Sequence, residues 1–169
     1  MRADLPGLIN KYRLKGILLD SNLLVLLYVG LVGPEWVGKF KGTHNQGFTE
    51  EDFSLLERIV NHSAKIIVTP HILTETSNHI CQWKGDEREV ALKFVADTVP
   101  SFKERRPEAK NLVQTRAFLD FGLTDSASLD LPPKKYLVLS TDLELIIALQ
   151  KKGVDAINFA HLRHLSWAA

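Results

Sequence analysis

Cysteine is almost missing from this chain: Cys81 is its one example in 169 residues. A lone thiol makes no intramolecular disulfide and no Cys-based metal centre, so the expected setting is a reducing cytoplasm. An excess of one charge is missing too. The 21 Lys and Arg nearly balance the 20 Asp and Glu, for a formal net charge of +1. That balance excludes nucleic-acid binding driven by bulk charge and confines any such contact to a local patch. Long apolar runs are also lacking. Ile17 to Val32 comes nearest, but Asp20 and Asn22 interrupt it, and it falls short of the roughly 20 residues a membrane span needs. Met1 to Lys15 carries charges throughout and has no continuous apolar core of the signal-peptide kind, so neither export nor membrane insertion is expected. No internal repeat or low-complexity tract interrupts the chain.

What is present suits one ordinary domain over residues 1–169. A hydrophobic content of 45% supplies a core that needs no staples. Leu5 to Tyr12 reads as a short helical lead-in. Ile17-Leu-Leu19 reads as a buried central strand and Leu23 to Val29 as a covered helix, with Ser21 and Asn22 as turn and cap between them. Gly30, Gly33, Pro34, Gly38, Gly42 and Gly47 then punctuate a Gly-rich insertion around 30–48, expected to be a loop or flap. Thr49 caps a helix with acids in its first turn and an apolar stripe at Phe53, Leu56, Ile59 and Val60.

Lys65 to Thr69 is a second predicted strand, and Pro70 opens a helix toward Trp83. A helical segment around 85–121 follows, broken at Pro100 and Pro107, with Lys103, Glu104, Arg105 and Arg106 exposed between. Its last helix, from Glu108 to Phe121, is expected to stop at Gly122. Thr124 to Ala127 starts another short helix. Tyr136 to Ser140 and Val154 to Phe159 complete the predicted strands, separated by a helix from Leu143 to Lys151. A short closing helix covers Ala160 to Leu165. Strands alternating with helices predict a three-layer α/β/α sandwich around a mostly parallel sheet of four or five strands.

The chemistry lies in the acids. Asp20 and Asp142 each follow a buried strand directly, and parallel strands place both at one edge of the sheet, where open α/β sheets hold ligands. Asp20 also suits plain helix capping. Glu75 and Asp125 fall in the first turns of helices that can begin at the same edge. Clustered carboxylates raise one another's pKa unless a cation neutralises them. Oxygen-only ligands favour Mg²⁺ or Mn²⁺ over zinc. Such a site suits phosphodiester hydrolysis with a metal-activated water. Asn22, Ser140 and Thr141 can orient a carboxylate or a water, or act as caps.

Leu18-Leu-Asp20-Ser-Asn22, Thr69-Pro-His-Ile-Leu-Thr-Glu75, Leu123-Thr-Asp125-Ser-Ala127 and Val138-Leu-Ser140-Thr-Asp142 together resemble the acidic pattern of the PIN-domain ribonucleases, in the family's order. The resemblance spans roughly Ile17 to Phe159. It implies a metal-dependent endoribonuclease, with Asp20, Glu75, Asp125 and Asp142 at the family's acidic positions and Ser140 as its small hydroxyl residue. Single-domain members are often toxins of toxin–antitoxin pairs, so an inhibitory antitoxin is an implied partner beside the RNA substrate. The competing expectation is a PIN-like module that binds RNA or protein without cutting.

Other features invite different readings. His71, Glu75 and His79 share a helix face at a spacing of four, as in a metal stripe, yet lack a third nitrogen or sulfur ligand. Asp20-Ser-Asn22 resembles the Asp-x-Asp of haloacid dehalogenase phosphatases but has Asn at the second acid. Lys103, Arg105, Arg106, Lys110, Arg116, Lys134 and Lys135 are candidates to guide an RNA backbone, or a solvated surface. Trp36, Phe40 and Trp83 are candidates to stack on unpaired bases, with Trp83 better suited to the core. Glu144 is a candidate auxiliary acid or a plain surface residue. The apolar helix after Asp20 is a candidate homodimer surface.

Overall fold

Ile17, Leu18 and Leu19 present no polar side-chain atom, and all three are completely buried as strand β1 (Ile17–Leu19) in the middle of the sheet. The computed structural model describes residues 4–163. Around β1 lie β2 (Ile66–Val68), β3 (Lys103–Glu104), β4 (Leu137–Ser140) and β5 (Ala156–Asn158). The five strands are all parallel, in the order β3-β2-β1-β4-β5. The chain steps from β1 outward to β2 and β3, then crosses back to β4 and β5 on the other side. Right-handed crossovers in opposite directions place helices on opposite faces, giving the three-layer α/β/α sandwich. The reversal falls between β1 and β4.

Helix α1 (Leu5–Tyr12) leads in, and α2 (Ser21–Val32) follows β1. Because α2 is apolar on every side it has to be interior, and every residue from Leu23 to Gly30 is buried. It is enclosed by α3 (Lys41–His44), α4 (Glu50–His62), α5 (Pro70–Ile80) and α6 (Asp86–Thr98). This corrects the expectation that α2 offers a dimer surface: its own chain already covers it. The cap differs as well, since Asp20 rather than Ser21 or Asn22 is the N-cap residue. On α4 the Thr49 hydroxyl accepts from the Asp52 N–H while the Asp52 carboxylate accepts from the Thr49 N–H, a full capping box.

The Gly-rich stretch is not a free flap. Pro34–Trp36 forms a 3₁₀ turn, α3 follows, and Val37, Phe40, Thr43 and Phe48 are buried. Phe40 stacks on Trp83 with ring centroids 4.6 Å apart, and Trp36 meets Trp83 edge-on at 5.6 Å. These aromatics hold that stretch to the core: Trp83 takes the core role expected of it, and the alternative of base stacking by Phe40 is overturned.

Beyond α6, the residues expected to be simply exposed between helices include the two-residue edge strand β3, whose Lys103 and Glu104 remain solvent-facing. Charged side chains on an edge discourage pairing with another chain. The predicted Glu108 to Phe121 helix is two helices, α7 (Ala109–Leu112) and α8 (Arg116–Leu129), because Thr115 caps a fresh start by accepting from the Phe118 N–H. Gly122, with φ 78°, breaks the helical path inside α8, and the chain resumes it through Asp125. Helix α9 (Leu143–Lys151) joins β4 to β5. The closing segment is a 3₁₀ turn at Phe159–His161; Leu165, the end of the predicted closing helix, lies outside the described residues. No helix among the described residues is long and apolar enough to cross a membrane.

Candidate active site

The topological reversal lies between β1 and β4, and the carboxyl ends of strands at such a reversal are where doubly wound sheets bind ligands. Asp20 directly follows β1, and Asp142 follows β4 by two residues. Asp20 is only 6% exposed. Its Oδ1 accepts from the Ser21 N–H at 2.7 Å and its Oδ2 from the Ser140 hydroxyl at 2.7 Å. The same Ser140 oxygen accepts from the Asp142 N–H at 3.0 Å, so one hydroxyl ties both acids across the β1–β4 seam. Asp142 is exposed and caps α9 by accepting from the Leu145 N–H at 3.0 Å.

Glu75, in the second turn of α5, and Asp125, in α8, are half-buried. A groove of about 390 Å³ contains Glu75 together with Leu123 and Thr124, so the two helices meet within two residues of Asp125. The charges are coupled. Burial pushes the Asp20 carboxyl above its ordinary value, Glu75 and Asp142 push it further, and the Ser140 and Ser21 hydrogen bonds pull it back. Burial, then the charges of Asp20, Asp142 and Glu75, push Asp125 up to about 7. Glu75 and Asp142 thus both act on Asp20 and on Asp125.

Their chemistry matches a hard divalent cation, whose charge would offset the desolvation and mutual repulsion that raise Asp20 and Asp125. Among the described residues, no three His, Cys, Asp or Glu side chains stand close enough together to hold an ion as arranged. An ion would therefore have to draw some of these carboxylates inward.

The supporting residues separate. Ser140 bonds the Asp20 carboxylate and the Asp142 backbone N–H, whereas Asn22 sits half-buried in the first turn of α2. Thr141 offers its backbone rather than its hydroxyl, its carbonyl accepting from Asn158 Nδ2 at 3.5 Å. Asn158 ends β5 and also caps the closing turn through the Ala160 N–H. Sequence reasoning missed it; a polar residue ending an apolar strand run was the available signal. His71 and Asn78 join Glu75 and Thr124 in the groove, and His71 Nδ1 is buried without a hydrogen-bond partner. Glu144 is exposed in the first turn of α9.

The expected basic guides divide by position. Lys134 and Lys135 precede β4, at the amino end of the sheet and away from the acids, and share a cavity there with Lys103. That placement corrects their assignment as guides to this edge. Arg105 and Arg106 border a groove with Ala127 and Asp130, and Arg106 is forked onto Glu104 at 3.0 and 3.1 Å. Lys110 and Arg116 pair with Glu108 and Asp120. Compared with known proteins, the chain matches no family model and no curated relative.

Proposed function

We propose that this protein is a metal-dependent endoribonuclease, hydrolysing phosphodiester bonds of single-stranded or structured RNA at the carboxyl edge of its sheet. The observation that carries the reading is the electrostatic coupling of Asp20, Glu75, Asp125 and Asp142 at the β1–β4 reversal. Mg²⁺ or Mn²⁺ would be held by these carboxylates and would supply an activated water and charge stabilisation for the leaving oxygen.

The remaining roles belong to the chain. Ser140 and the Ser21 N–H fix the Asp20 carboxylate from opposite oxygens, so its orientation is set before substrate arrives. Asp125, its pKa pushed up to about 7 by burial and by the charges of Asp20, Asp142 and Glu75, is the acid whose ionisation a bound cation would favour most directly. The groove that holds Glu75 is also lined by His71, Thr74, Asn78 and Thr124, which offer polar contacts for a strand of RNA. An antitoxin-type inhibitor covering this edge belongs to the same reading, on the strength of the sequence resemblance, and a homodimer would have to form through a surface other than α2.

Labelled single-stranded RNA tests the reading, incubated with wild type or Asp20→Asn in Mg²⁺, Mn²⁺ or EDTA. Cleavage is expected for wild type with either metal and for neither protein in EDTA. Equal cleavage by Asp20→Asn, or cleavage that survives EDTA, rejects the mechanism. A second reading, a module of the same fold that binds RNA or protein without cutting, is favoured by the absence of any three gathered metal donors among the described residues. RNA binding with no cleavage under any metal condition would select it.

A further inference from the structure

The amino end of the sheet, opposite the acids, gathers the other sign of charge. Lys15 and Lys65 stand just before β1 and β2, Lys134 and Lys135 form the turn into β4, and Lys103 begins β3. With Pro133 and Tyr136 these five lysines line one cavity of about 430 Å³ that contains no acidic residue. The register explains the opening. Leu137 pairs with Ile17 and Ile17 with Ile66, so Tyr136, Gly16 and Lys65 fall in one row, one residue earlier. Gly16 leaves the middle of that row without a side chain. Nothing larger fits there: its φ is +121°, and an added Cβ would lie 2.9 Å from Ile67 Cδ1 and 3.2 Å from the Lys65 carbonyl.

No ion pair within salt-bridge distance holds these lysines among the described residues. Lys15 Nζ donates to the Lys134 carbonyl at 3.4 Å, while Lys103 Nζ and Lys135 Nζ lie over the Tyr136 ring at 6.0 and 5.9 Å. Asp155 feels the Lys134 charge, but its carboxylate is already engaged by Lys11 at 2.8 Å and Tyr12 at 2.6 Å. Tyr136 itself is 2% exposed, and its hydroxyl is buried with no hydrogen-bond partner. Five exposed lysines thus line an open cleft within the usual size of a small-ligand site, with the buried Tyr136 beneath them.

We propose that this cavity binds a compact polyphosphate anion, such as inorganic tripolyphosphate or the phosphate chain of a nucleoside triphosphate. Compactness selects the ligand. RNA spreads its charges along an extended backbone and meets such a cluster a few phosphates at a time, whereas a polyphosphate chain concentrates several charges within the span of one lysine-lined cleft. The site lies at the opposite end of the strands from the acids and does not depend on their function.

Calorimetric titration of the full chain in EDTA, with tripolyphosphate and with ATP as separate probes, tests the proposal. Binding is expected for both and should weaken as salt rises. Equal affinities mean that phosphate alone is recognised, and tighter ATP binding means that the nucleoside adds contacts; either supports the site. The double variant Lys65→Gln/Lys135→Gln should weaken binding about ten-fold or more, with Lys15→Gln/Lys134→Gln as a second pair should the first fold poorly. Lys93→Gln, at a lysine paired with Glu89 on α6, should leave binding unchanged, as should Asp20→Asn. No binding by either probe, or undiminished affinity in both double variants, overturns the proposal. So does equal competition by a single-stranded oligonucleotide lacking terminal phosphates, which would assign the cavity to nucleic acid.

Discussion

Replacing Asp125 by Asn should make the protein more stable at pH 8 and leave it nearly unchanged at pH 4.5. The carboxyl is raised from an ordinary 3.8 to about 7 by burial, then by Asp20, Asp142 and Glu75. A raised acid binds its proton more tightly in the folded state than in the unfolded one, so the associated stability is complete below about pH 4 and is lost as pH climbs through about 7. Undamped, a difference of that size converts to about 4 kcal/mol. Asp125 keeps access to solvent, and screening reduces the working figure to about 1–2 kcal/mol. For a chain of this length that is about 3–6 °C in melting temperature. Asn retains the shape and loses the charge. Thermal melts of both proteins at pH 4.5, 6, 7 and 8, without divalent metal, should show a gap that opens with pH in favour of the variant. A gap independent of pH, or a wild type equal to the variant at pH 8, would refute the coupling of these acids.

Two further substitutions probe the seam and the core. Ser140→Ala removes the hydroxyl that donates to Asp20 and accepts from the Asp142 N–H; it should cost about 1.5–3 kcal/mol in urea denaturation at pH 7, and metal-dependent RNA cleavage should fall about 10- to 100-fold. Gly30→Ala would place a methyl group into the Phe53 ring inside α2, so it should destabilise by about 1–3 kcal/mol despite the better helix propensity of Ala; restoration by a second change, Phe53→Leu, checks that the clash is the cause.

Much of the architecture was legible because burial leaves a simple mark on sequence. Ile17 to Leu19, Ile66 to Val68 and Leu137 to Leu139 are short unbroken apolar runs, and all of them are central strands. Edge strand β3 carried no such mark, since Lys103 and Glu104 are held by backbone pairing to β2 while their side chains face water. Glycines misled at residues 30–48, where local punctuation suggested a loose loop. Long-range packing of Phe40 on Trp83 decides that segment, and local composition does not encode it.

The candidate site was legible for the same topological reason. Asp20 and Asp142 follow parallel strands, and a parallel sheet sends the residues after its strands to one edge. Lys134 and Lys135 obey the same rule in reverse, standing before a strand and therefore at the other edge. Their separation from the acids depends on the β1–β4 neighbourhood and the strand direction, which sequence proximity does not express. Ser140 carried a residue-level signal, being two positions from Asp142. Its second bond, to Asp20 across 120 residues of chain, required the fold.

Titration with Mn²⁺ while following thermal stability at pH 8 tests most directly whether Asp20, Glu75, Asp125 and Asp142 act as one cation-holding unit. Wild type should gain stability saturably, by an amount set by the ratio of free ion to its dissociation constant, and should overtake Asp125→Asn as the ion replaces proton and repulsion. Asp20→Asn should lose most of the gain. Stabilisation absent in wild type, or equal in wild type and both variants, would contradict a shared metal site.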